Sequence, residues 1–481
     1  MLTWIVIFLV AYVLAVIGVT RYLGKRANSL FEYFLASRSL GALPVALTFV
    51  ATWFGATSTK GSLDAYHQQG LSALWLLAIP SVVSLLVIAL VFAKRVSQNG
   101  CRTQPEAVEK CYGPTGRLLL ALTILASSTT LVAAQLVAVG QVLQHTLGLD
   151  LAWGVWMFLL GVITYATVGG YRAVVLTDIL QMIFIVVAIF IMGGFSLASL
   201  GNQPAVLHHL QAQPASFWNI GHHGQENATM ALSFVFAWCI APEMWQRMAS
   251  TQNDRMAFRA ALGAFGILLV LYCLVFAVGI VSAGLFPSSQ PVDVLVSLAR
   301  AMPHPALAAL IFMGFFAAVT SSMDSPINVA SMTWTQDIYQ RFIRPKASNT
   351  ELLWISRLAT ILLPLPAAHI AISHPNIIGV LWMSADIYAS VMFIPVVGLL
   401  YAPKLGRLSG VLAMAFGGVS IGLNVLRRTG LDQGWLNALG WPDAPYATLI
   451  GVGLSAIGFA LGALLQGRAA TGGRGNRLLA E

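Results

Sequence analysis

Apolar runs of about 20 residues recur from one end of this chain to the other, and no other feature restricts its fold as strongly. A helical run of that length crosses a bilayer. Lipid admits only helices and closed barrels, because backbone polar groups there must find partners within the protein. Thirteen runs can be counted, near residues 3–20, 40–63, 70–93, 117–145, 151–168, 174–199, 228–248, 258–283, 303–334, 352–372, 376–401, 408–425 and 446–466. Only 9% of the residues are charged, against about a quarter in a soluble domain. The expectation is an all-α, multi-pass protein embedded in a lipid bilayer. The first run has no basic stretch before it and no small-residue cleavage motif after it, so it reads as a spanning helix rather than a leader.

A net charge of +9 raises the question of nucleic acid, but the placement of the charges answers it. Sorting the 26 Lys and Arg residues by side puts 22 on the face holding RYLGKR, AKR, GGYRA, QRFIRPK and the tail; Arg300, Arg427 and Arg428 fall on the other face, and Lys60 lies inside a span. Cytoplasmic loops collect Lys and Arg. The excess is therefore topological, with the N-terminus outside, the C-terminus in the cytoplasm and the inner (plasma) membrane as location. No nucleic-acid partner is expected. Cys101, Cys111, Cys239 and Cys273 show neither disulfide nor zinc spacing. His208, His209, His222 and His223 in the 200–227 loop read as solvated rather than as metal ligands.

Two spans are interrupted. In LPVALTFVATWFGATSTKG, Thr52, Gly55 and the polar residues 57–60 break the apolar pattern; in ALSFVFAWCIAPEMWQRM, Pro242 removes a backbone donor and Glu243 follows it. Paired breaks at corresponding places in two halves point to an inverted-repeat transporter and to its binding site. The breaks lie about 190 residues apart, and the long spans at 117 and 303 about 186 apart. Five spans over 40–199 are thus repeated over 228–401, and an odd number per repeat forces opposite orientations. Residues 1–39 add a helix and a cytoplasmic loop, and 402–481 add two helices and a basic tail.

Within the span at 303–334 stands SSMDSPINVA, whose hydroxyls and carboxylate are costly in lipid unless they meet partners, an ion or a water-filled cavity. Ala318, Ser321, Ser322 and Ser325 share one helical face. With carbonyls freed around Ala51 to Phe54, that face forms a set of hard oxygens suited to a monovalent cation. The same small residues equally suit a close approach of two helices.

TVGGYRAVVLTDILQ and SSMDSPINVASMTWTQDIYQRF resemble signatures of the sodium:solute symporter family, and ASRSLGALPVALTFVATWFGATS and EMWQRMAS resemble its first and sixth core helices. The resemblance covers about 30–405. It implies a LeuT-type fold of five plus five inverted helices, and alternating access by rocking of the first, second, sixth and seventh core helices. It further implies sodium as coupling ion, no organic cofactor and a small-molecule solute; we expect a monomer. Carried over by position, the sodium site comprises the carbonyls of Ala51, Phe54 and Ala318 with the hydroxyls of Ser321 and Ser322. A second cation position falls on Asp178, Asp324 and Ser325; as an alternative, Asp178 caps its helix and pairs with Arg172. Solute contacts fall on Trp53, Thr57, Ser58, Phe234 and Trp238, and Lys60 is counted among the solute-binding residues with them.

Lys60 has three readings: it pairs with an anionic solute, stands in for a second sodium, or binds Asp64 one turn on. Asp386 is a further intramembrane charge and a candidate partner. An enzyme is not expected, because HExxH is absent and the intramembrane serines lack a nearby His base. A transporter-like sensor and a proton-coupled carrier of an anionic solute remain as alternatives to sodium symport.

Overall fold

The computed structural model describes residues 30–475 except 289–291, 433 and 444, with residues 7, 14, 15 and 18 before them. The expected first span at 3–20, most of the N-terminal segment and the end of the basic tail lie outside the described residues. Apart from one isolated bridge between Leu40 and Thr251, the described elements are helical.

After α1 (Leu30–Leu35) the first set begins with α2 (Ala42–Trp53) and α3 (Ser62–Gln69), joined through a π-turn at Thr57–Gly61. Next come α4 (Ala78–Val87), running on into α5 (Ala93–Asn99), and α6 (Gln104–Leu147). Helical hydrogen bonding then extends over Leu151–Asn202, in two apolar passes, α7 (Leu151–Thr167) and α8 (Ala173–Asn202). The second set repeats the order. A bent pair, α9 (Gly224–Trp238) and α10 (Pro242–Ala249), leads to α11 (Asp254–Leu285) and the short α12 (Val294–Ala301). α13 (Pro305–Met332) follows, then α14 (Asn349–Leu362) with α15 (Leu365–Ser373), and α16 (Ile377–Ile387) with α17 (Ile394–Tyr401). Two further helices, α18 (Arg407–Thr429) and α19 (Tyr446–Gly475), pack on each other.

The inversion is visible in side-chain pairing. Leu40 N–H meets the Ser250 carbonyl, Thr48 and Thr52 both accept from Arg247, and Trp53 lies beside Trp238, so the two broken helices run antiparallel. The chain also reverses between α7 and α8. Phe158 packs on Phe316 and Tyr165 reaches Asp324, whereas Gln181 reaches Thr320 and Phe184 lies against Gly314. One pass is thus parallel to α13 and the next antiparallel to it.

Among the described residues nine helices are long and apolar enough to cross a membrane, ten if the bent pair α9 and α10 counts as one span. The chain is a multi-pass membrane protein, but the expected count of thirteen is not confirmed. One expected span lies outside the described residues. Two others, α2 and α7, are apolar but shorter than a crossing helix, α2 because the chain breaks after Trp53.

Candidate functional site

The first break is made by the backbone leaving the helix at Phe54 (φ −98°, ψ 62°). Helix ends strand carbonyls and N–H groups that must be satisfied elsewhere. Here Ala56 N–H donates to Gln135 Oε1 of α6 at 2.8 Å, and Ser58 Oγ donates to the Trp53 carbonyl at 2.8 Å while touching Tyr272 OH at the same distance. Gly55 lies hard against α13 and α6. A Cβ there would stand 2.7 Å from Ser322 Cβ and 2.6 Å from Gln135 Oε1. At the second break, Pro242 begins α10 where its missing N–H leaves no bond unmade, and the axis bends by 42°.

The serine face of α13 meets the first break directly. Ser321 Oγ donates to the carbonyls of Ala51 (2.8 Å) and Ala318 (2.9 Å); Ser322 Oγ donates to those of Thr52 (2.7 Å) and Ala51 (3.3 Å). Four of the five groups expected at the sodium site therefore meet in one cluster. Phe54, the fifth, stands at the break itself, with its ring buried edge-on against Tyr272.

Beside this cluster lies a residue that the sequence reading passed over. Arg247 of α10, counted there among the charges of the inner face, is fully buried. Its Nη2 donates to Thr48, Thr52 and Ser325, and lies 3.7 Å from Asp178 Oδ2. Asp178 also accepts from Thr48, so it binds across to α2; Arg172, its alternative partner, has no described side chain. Asp324 accepts from Tyr165 OH at 2.9 Å. Asp178 Oδ1 and Asp324 Oδ2 are buried with no hydrogen-bond partner among the described residues. At the expected second cation position the structure thus places two carboxylates, and a guanidinium already sits on Ser325. An Arg near a span end normally reaches for the surface, and only the fold of α10 against α2 turns this one inward.

Between the two breaks lies a cavity of about 50 Å³ lined by Trp53, Thr57 and Ser58 of the first and Trp238 and Glu243 of the second, with Gln135 and Tyr388 among its other walls. Phe234 does not line it. That ring stacks on Trp238 (4.6 Å) and meets Trp382 edge-on, so it backs the wall rather than forming it. Gln135 and Tyr388 were not anticipated. A Gln in the apolar run LVAAQLVAVG is a signal that could have found the first.

Lys60 stands apart from this cavity. Its Nζ lies 2.6 Å from Asp64 Oδ2 and 3.2 Å from Asp293 Oδ2, and His145 Nδ1 contacts Asp293 at 2.9 Å. The group lines a separate cavity of about 490 Å³. Of the three sequence readings of Lys60, the geometry matches the pairing with Asp64, with Asp293 added. Asp386 is not its partner: that carboxylate binds Asn424 and Arg428 of α18 and Thr448 of α19. The four cysteines are free, and the described residues contain no cluster of three or more His, Cys, Asp or Glu fit for a metal.

Paired helix breaks facing a buried oxygen cluster define a transporter built on discontinuous helices. The sodium:solute symporter family model matches residues 33–417, and the chain belongs to that family. It is 26% identical over 384 residues to the sodium/proline symporter of Haemophilus influenzae, covering 74% of each chain. It is 27% identical over 427 residues to the high-affinity choline transporter 1 of Caenorhabditis elegans, covering 83% of this chain and 71% of that one. These relatives are transporters, not enzymes. A solved sodium-coupled sialic acid symporter in its substrate-bound outward-open state shares the fold, with a TM-score of 0.77 at 20% identity over 96% of this chain and 98% of that one. MhsT in complex with L-phenylalanine also shares it, at a TM-score of 0.57 and 15% identity over 89% of this chain and 98% of that one.

Proposed function

We propose that the protein is a sodium-coupled symporter that imports a small organic solute by alternating access. The observation that carries the reading is the meeting of Ser321 and Ser322 with the carbonyls of Ala51, Thr52 and Ala318 at a helix break. Hydroxyls and carbonyls without a formal charge are hard oxygen donors, and at a broken helix they suit an alkali cation. Sodium would bind to Ala51, Phe54, Ala318, Ser321 and Ser322, and its occupancy would hold α2 against α13. Release to the cytoplasm would free those helices to part. The membrane potential supplies roughly 2.3 kcal/mol per charge per 100 mV, to which the sodium gradient adds.

A second cation position would draw on Asp178 and Asp324, whose unpartnered oxygens favour it, while Arg247 acts as the fixed cation on Ser325. The solute would bind in the cavity between Trp53 and Trp238. The plasma membrane, an outer N-terminus, a cytoplasmic C-terminus and a monomeric state complete the proposal. Uptake by proteoliposomes, with and without an inward sodium gradient, tests it. L-proline and choline come first in the panel, as the solutes for which the similar proteins are named. Uptake that does not respond to sodium would overturn the coupling.

A further inference from the structure

We infer that the solute carries a positively charged nitrogen, held by the carboxylate of Glu243 in the cavity that Trp53, Trp238 and Tyr388 line. The inference rests on the symport reading and names the solute class of the same cavity.

Glu243 is 2% exposed and follows Pro242 at the start of α10, where the second broken helix turns into the cavity. Among the described residues Tyr388 OH is its one side-chain donor, at a long 3.5 Å, beside its own main-chain N–H. Burying a carboxylate is costly unless a cation or several donors meet it. Arg247 on the same helix brings its charge near this carboxylate but makes no hydrogen bond to it. Its Nη1 bonds the main-chain carbonyl of Glu243 at 3.2 Å, and its Nη2 turns to Thr48, Thr52 and Ser325. Lys60 is taken by Asp64 and Asp293. Glu243 is thus the one charged residue among those lining the cavity, and it is negative.

The rest of the lining suits the same ligand. Trp53 and Trp238 pack on each other with centroids 6.1 Å apart and planes at 45°, and both line the cavity together with Glu243 and Tyr388. Aromatic faces attract cations, more strongly where water is excluded. Summed charge points the same way. Asp178, Asp324 and Glu243 are buried where α2, α8, α10 and α13 meet, and Arg247 is the guanidinium buried with them. Carboxyl groups thus outnumber the guanidinium around the cavity, which favours a cationic over an anionic ligand. An anion in this cavity would face Glu243 with no cationic side chain to receive it.

The test measures uptake into proteoliposomes under a sodium gradient, and binding by thermal shift, for choline, glycine betaine, L-proline, L-lactate and D-glucose. Choline, glycine betaine and L-proline carry a positive nitrogen, and the other two do not. The expected result is binding and sodium-driven uptake confined to members of the first group. Glu243→Gln should weaken that binding tenfold or more and leave the thermal shift caused by sodium intact. Glu243→Asp should fall between the two. A retained sodium shift shows that Glu243→Gln is folded. Preference for L-lactate or D-glucose, binding to none of the nitrogen-bearing probes, or unchanged affinity in Glu243→Gln would each overturn the inference. Binding of a nitrogen-bearing probe without sodium-driven uptake would instead overturn the symport reading and leave the inference standing.

Discussion

Ser321 Oγ donates to the carbonyl of Ala51, 2.8 Å away and 270 residues earlier in the chain. The bond joins the serine face of α13 to the point where α2 is about to break, and the neighbouring Ser322 repeats the contact on Thr52. A cation that draws these oxygens to itself replaces hydrogen bonds across the same seam, so ion binding and the packing of the two helices are one event.

Removing both hydroxyls, in Ser321→Ala with Ser322→Ala, leaves the ion only carbonyls. The sodium concentration for half-maximal uptake should rise at least tenfold, equivalent to about 1.4 kcal/mol. An unchanged sodium dependence in this double variant removes the two serines from the site.

Gly55 tests the break itself. Alanine there must displace Ser322 and Gln135, and overpacking of this kind costs about 1–3 kcal/mol. Gly55→Ala should therefore lose most sodium-driven uptake. Trimming Gln135 to Ala relieves only one of the two collisions, so the pair Gly55→Ala with Gln135→Ala should not restore it. Wild-type uptake by Gly55→Ala would contradict the close approach.

Arg247→Met should destabilise the protein strongly. It strands Asp178 beside Thr48 with no cation, and breaking a buried pair by removing one partner costs about 3–5 kcal/mol. Adding Asp178→Asn should recover a large part of that loss. Arg247→Lys should not substitute well, because one ammonium cannot hold both the Glu243 carbonyl, bound by Nη1, and the hydroxyls bound by Nη2, as the planar fork does. Thermal melting in detergent reads all three variants, and equal melting of the single and double variants would separate Arg247 from Asp178.

Lys60 makes a different forecast. Lys60→Met leaves Asp64 and Asp293 facing each other, so it should melt earlier than wild type. Asp64→Asn added to it should recover part of the loss, and Asp293→Asn as well should recover more. The affinity for the transported solute should change little throughout, since Lys60 lies outside the central cavity. A lost solute affinity with normal melting would return Lys60 to the solute.

Topology is open to labelling. In a background lacking the exposed Cys273, a cysteine at the exposed His208 should react with an impermeant thiol reagent in intact cells, and one at the exposed Lys346 should not. The opposite pattern would invert the orientation drawn from the loop charges.

What the sequence determined by itself is what depends on short-range order. The apolar runs, the two breaks at Gly55 and Pro242 and the single face shared by Ala318, Ser321 and Ser322 follow from residue spacing, because helix geometry places near neighbours without any knowledge of the fold. The pairing of Lys60 with Asp64 was one of three readings that spacing allowed, one turn being a local distance, and the fold selected it. Tertiary structure decided whatever depends on which helices meet. It brought Asp293 to Lys60, turned Arg247 from a span end into the interior against α2 and α13, and put Gln135 under the Ala56 N–H. It also set Phe234 behind Trp238 and left Glu243 facing the cavity. A charge in a membrane protein is costly wherever it is buried, and its role is set by the partners that relieve the cost. Those partners come from other helices, up to hundreds of residues away, and only the folded packing chooses among them.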